Sequence, residues 1–99
     1  MVQIETLDDG VLIFTFTLPN GAIEGIADLR LINHTLYLDQ LHLQGAMMNR
    51  IGRAALWQCA RELGLLFQAH TVVIQGGRRT TGKTKGQIPA PVIIKVAIL

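Results

Sequence analysis

Between positions 71 and 91 the chain reads T-V-V-I-Q-G-G-R-R-T-T-G-K-T-K-G-Q-I-P-A-P. Two guanidiniums (Arg78, Arg79), two ammoniums (Lys83, Lys85) and the hydroxyls of Thr80, Thr81 and Thr84 crowd into one short stretch. Gly76, Gly77, Gly82 and Gly86 are interleaved with them and leave backbone N–H groups open. Every one of these groups donates hydrogen bonds, and four carry positive charge. That set suits phosphate oxygens, with arginine able to grip them two at a time.

Such a segment acts only if something holds it. Thr71, Val72, Val73 and Ile74 form a β-branched run before it, and a second run occupies 92–98. Both runs predict strands, so the basic segment is expected to be a polar loop carried by a sheet, the usual placement of functional groups. Residues 77–84 also match the nucleotide phosphate-binding pattern G-x-x-x-x-G-K-[ST]. That mechanism needs a helix starting at the lysine. Gly86, Pro89 and Pro91 leave no room for one, so nucleotide hydrolysis is set aside and phosphate contact is kept.

The rest of the chain must supply the scaffold. At 99 residues, 49% hydrophobic and 16% charged, it is expected to be a single globular domain over 1–99. Its apolar runs are too short to span a bilayer, and the acidic start lacks a signal peptide's basic region. The lone Cys59 excludes an internal disulfide. Net charge is only +2, but it is polarised. Six of seven acids lie in the first half, and all basic residues except Arg30 lie from Arg50 onward. A basic end implies an anionic partner.

Period-2 alternation predicts strands at 1–7, 11–18, 22–32 and 35–44. Turn signals separate them at Asp8-Asp9-Gly10, Pro19-Asn20-Gly21 and Asn33-His34. Gly25 is a candidate bulge, and a phase change near Asp39 marks a bulge or bend. Residues 49–66 switch to helical spacing, with Ile51, Ala55, Leu56, Cys59, Ala60, Leu63 and Leu66 on one face. Asn49 is the expected N-cap, and Gly64 is expected to weaken or end the last turn. Arg53, Trp57 and Arg61, spaced by four, are expected on the opposite face, where they can stack a base or anchor a partner. The order strands, helix, strands gives an α+β fold: a twisted antiparallel sheet of five to six strands on one main helix.

The helix ending A-R-E-L-G (60–64), the strand after it and G-G-R-R-T-T-G-K-T-K-G-Q-I-P (76–89) together resemble the C-terminal toxin domains of bacterial polymorphic and contact-dependent inhibition systems. The resemblance is to those of the barnase–colicin–RelE-like ribonuclease fold. It covers the last half of the chain and rests on R-T-[TS]-G-x-x-x-G-x-x-P, matched by Arg79, Thr80, Thr81, Gly82, Gly86 and Pro89. It implies an endoribonuclease toxin that needs no metal or other cofactor and acts on transfer RNA. It further implies delivery to a target cytoplasm as part of a larger protein, and a cognate immunity protein as partner.

Such cleavage needs a base for the 2′-OH, cations at the phosphate and an acid for the 5′-oxygen. Arg79, Thr80, Thr81 and Lys83 are the expected catalytic set, with Arg78, Lys85, Trp57 and Arg53 holding substrate. His42, on the polar side of the fourth strand, is the first choice of base; His70 and then His34 follow, and Lys83 is the non-histidine alternative. Two other classes fit the same residues: RNA or polyanion binding without cutting, and a protein-interaction module.

Overall fold

The structure is a computed structural model and describes residues 1–19, 21–45, 52–76 and 90–96. They form six strands and one helix: β1 (Val2–Asp8), β2 (Val11–Leu18), β3 (Gly21–Ile32), β4 (Thr35–Gln44), α1 (Arg53–Leu66), β5 (Thr71–Gly76) and β6 (Val92–Lys95). All six strands join one sheet in sequence order, and α1 packs on one face of it. Among the described residues no helix is long and apolar enough to cross a membrane.

The first four strands are an antiparallel meander, as their spacing predicts. Asp9 and Gly10 both adopt positive φ (51° and 76°), as do Asn33 and His34 (50° and 62°). This is the backbone that closes a tight two-residue hairpin. The expectation of a wholly antiparallel sheet is wrong at one pairing: β4 and β5 run parallel, and β5 and β6 return to antiparallel. The reason is α1. Its 14 residues span about 21 Å at ~1.5 Å per residue, close to the length of a six-residue strand. The helix therefore carries the chain back to the end where β4 began, as a parallel crossover requires.

The core lies between α1 and one sheet face. Leu12, Phe14 and Phe16 from β2, Ile23 and Ala27 from β3, Leu36 and Leu38 from β4, Val72 and Ile94 meet Cys59, Ala60 and Leu63 of the helix. Two helix expectations change. The helix starts at Arg53 with Gly52 at the N-cap position and no side-chain cap, and Asn49 lies outside the described residues. Gly64 does not end the helix but lets it dock. A Cβ there would sit 2.7 Å from Val96 Cγ2 and 2.9 Å from Val72 Cγ2.

The phase change near Asp39 is a bulge. Gln40 has φ 53°, and register slips on both sides, from Asp28↔Asp39 to Ile26↔His42 and from Leu38↔Ile74 to Leu41↔Gly76. Before it Leu36 and Leu38 face the helix; after it Leu41 and Leu43 do. Gly25, in contrast, is no bulge. It pairs in unbroken register with Phe14 and Leu43, and its missing side chain is the seat of the Phe14 ring. A Cβ there would lie 2.3 Å from Phe14 Cζ.

Phe14 is 1% exposed, and a methyl group at position 25 would force its ring out of its packed position. Gly25→Ala should therefore cost about 1–3 kcal/mol of stability by overpacking. Urea unfolding measures it. The same substitution made on top of Phe14→Leu should cost clearly less, because the two sites share one space.

Candidate functional site

His42 owes its position to the bulge. Without the extra residue its side chain would continue the inward phase of Leu36 and Leu38. With it, His42 points to the sheet face away from α1 and is exposed. It lines a shallow hollow with Ile13, Glu24, Ile26 and Gln44. Gln44 Nε2 donates to Glu24 Oε1 at 2.7 Å across that hollow. No described residue makes a hydrogen bond that fixes the imidazole.

The open face carries acids. Glu5 accepts from Thr15 Oγ1 at 3.1 Å, Glu24 pairs with Gln44, and Asp28 stands opposite Asp39 in the ladder. Asp39 is held by Arg30, with Nη2 at 2.9 Å and Nε at 3.0 Å from Oδ2. Arg30 also lies over the Tyr37 ring, 4.8 Å from its centroid. The one guanidinium of the N-terminal half is thus engaged within the fold. A polyanion gains little at the centre of this face and is directed to its margin.

That margin is defined by the parallel pair. β4 and β5 both end on one side of the sheet, at Gln44 and Gly76. β6 begins there too, since Val92 pairs with Ile74, and so does α1, whose first residue follows the crossover from β4. Gly76 and Ala90 are therefore the two anchors of the basic segment, both on the carboxyl edge of β4 and β5. The segment itself, with Arg78, Arg79, Thr80, Thr81, Lys83 and Lys85, lies outside the described residues, as does the side chain of Arg53.

Trp57 is placed differently from the expectation. It is not opposite the apolar stripe but at its border, 38% exposed. Its indole lines an apolar cavity with Leu56, Phe14, Leu41 and Leu43. His42 and Trp57 therefore share the carboxyl edge but sit on opposite faces of the sheet. Only a ligand that wraps the edge can touch both. Arg61 is exposed one turn beyond Trp57.

The other histidines leave the site. His34 and His70 stack on each other, ring centroids 4.7 Å apart and planes 11° from parallel. His70 N donates to His34 O at 2.7 Å. They precede β4 and β5, so they mark the opposite, amino edge, where they tie the β3–β4 turn to the start of β5. Among the described residues no three His, Cys, Asp or Glu side chains gather at metal-binding distance.

Cys59 is buried beneath α1, and its thiol is pushed up from 9.0 to about 12. Burial is the main cause; the charge of Glu62 adds to it, and the N-terminal amine opposes it. It serves as packing and not as a nucleophile.

The chain matches no family model, no curated protein and no solved structure.

A raised thiol pKa holds the proton in the native state where the unfolded chain has released it. Stability should be full below about pH 9 and fall as pH rises toward 12. Urea midpoints between pH 8 and 10.5 should show that decline, and Cys59→Ala should flatten it. Iodoacetamide at pH 8 should label the native thiol far more slowly than the same thiol in denaturant.

Proposed function

We propose that this domain is an endoribonuclease that grips RNA along the carboxyl edge of β4 and β5 and cleaves it without a metal. The supporting observation is the parallel β4–β5 pairing, which anchors both ends of the basic segment beside His42. RNA is the polyanion of choice because its own 2′-OH can attack the neighbouring phosphorus once a base removes the proton. His42 takes the role of base. Arg79 and Lys83 offset the charge that builds on the phosphorane oxygens, and Thr80 and Thr81 donate hydrogen bonds to them. Arg78, Lys85 and Arg53 hold flanking phosphates, and Trp57 offers a stacking surface where the strand rounds the edge. Water protonates the 5′-oxygen as its bond to phosphorus breaks, His42 returns to solvent the proton it took, and the products are a 2′,3′-cyclic phosphate and a 5′-hydroxyl.

The motif resemblance of residues 76–89 supports transfer RNA as substrate, a target-cell cytoplasm as the place of action and an immunity protein as partner. A second reading has one observation in its favour: no described carboxylate orients His42, as a general base usually requires. On that reading the edge binds RNA and does not cut it.

Transfer RNA incubated with micromolar protein in EDTA should yield fragments ending in 2′,3′-cyclic phosphate. Arg79→Ala and His42→Ala should each slow this by roughly a hundredfold or more with unfolding temperature unchanged. Binding that weakens steeply with salt, without cleavage, would establish the non-catalytic reading. Neither binding nor cleavage would overturn both.

A further inference from the structure

The underside of α1 holds a feature that phosphate chemistry does not use. A cavity of about 290 Å³ lies between the N-terminal half of the helix and the sheet. Phe14, Leu38 and Leu63 form its walls, all 1% exposed. Leu56, Trp57 and Val92 stand around its opening.

Its origin is in the packing. Gly64 holds the C-terminal half of α1 hard against Val72 and Val96. Glu62 fastens the same half to β1 by accepting from Val2 N at 3.1 Å. Toward the N-terminus the helix buries only the small Cys59 and Ala60, with Ala55 half-buried beside them and Leu56 and Trp57 at the border, while beyond the bulge the sheet offers Leu41 and Leu43. The small residues leave the gap unfilled.

The lining decides what can occupy it. Among the described residues no charged side chain contributes, and the only polar side-chain atoms are the Cys59 thiol and the Trp57 indole N–H. A buried water needs two to four partners, so water is held poorly. A nucleobase would leave its ring nitrogens and exocyclic groups without partners. An engineered apolar cavity of about 150 Å³ takes up benzene, and this one is close to twice that volume. We infer that the cavity is a binding site for a small uncharged apolar molecule of two fused rings' size. The site shares Trp57 with the proposed RNA surface and uses none of the groups assigned to cleavage.

Naphthalene is the probe. Added below its solubility limit to the full chain, it should raise the unfolding temperature saturably by ~2–4 °C. It should also shift the single indole N–H resonance in the proton NMR spectrum. Naphthalene-1-sulfonate, the same rings with a charge, should do neither. Leu56→Trp narrows the opening and Ala60→Leu fills the interior; each should abolish the naphthalene response in a folded protein. Should neither variant fold, the wild-type titration decides alone. No change in unfolding temperature or indole resonance with naphthalene, an equal response to the sulfonate, or an unchanged response in either folded variant would overturn the inference.

Discussion

Everything that can act in this domain depends on two strands pointing the same way. β4 and β5 lie side by side and parallel, and only a helix laid across the sheet makes that possible. Had they been antiparallel, as a simple hairpin would give, β5 would end beside the His34 turn. The basic segment would then be anchored beside His34 and away from His42, and His70 would be parted from His34. The crossover thus sorts the three histidines into two groups. Two become a structural clasp at one edge, and one is left at the edge where the cationic residues are rooted.

The second constraint is the single extra residue in β4. A strand shifted by one position turns every following side chain over. The bulge at Asp39–Gln40 therefore turns Leu41 and Leu43, half-buried, toward the helix and exposes His42 and Gln44. The local cost is one backbone in the left-handed region at Gln40, which glutamine tolerates poorly. The result is a polar carboxyl end on a strand whose first half is core. The same shift carries the leucines to the apolar cavity under α1, so the two faces of the edge have different chemistry from one cause.

Much of this was legible in the residues. The meander follows from alternation and from turn signals such as Asp9-Gly10 and Asn33-His34. The bulge follows from the phase change, and the outward aspect of His42 follows from the bulge. The helix is plain from its spacing. The parallel pairing was not legible, because strand direction depends on how far the crossover travels, and periodicity carries no such information. Gly25 and Gly64 were misread for a related reason. A glycine's local meaning is a bulge or a stop, whereas here each is read by a distant side chain: Phe14 for one, Val72 and Val96 for the other. Trp57 was assigned to the wrong side of the helix because a wheel drawn from sequence cannot tell the border of a stripe from its back. The chemistry proposed for 77–89 still rests on residue types and on where the segment is anchored.

The bond from Val2 N–H to Glu62 has a consequence beyond holding the helix. An outermost strand offers unpaired donors and acceptors to any other chain that passes. Here a helix carboxylate occupies one such donor at the β1 margin. At the other margin β6 is only four residues long and bears Lys95. Each described border of the sheet thus carries a feature that works against the addition of a further strand there.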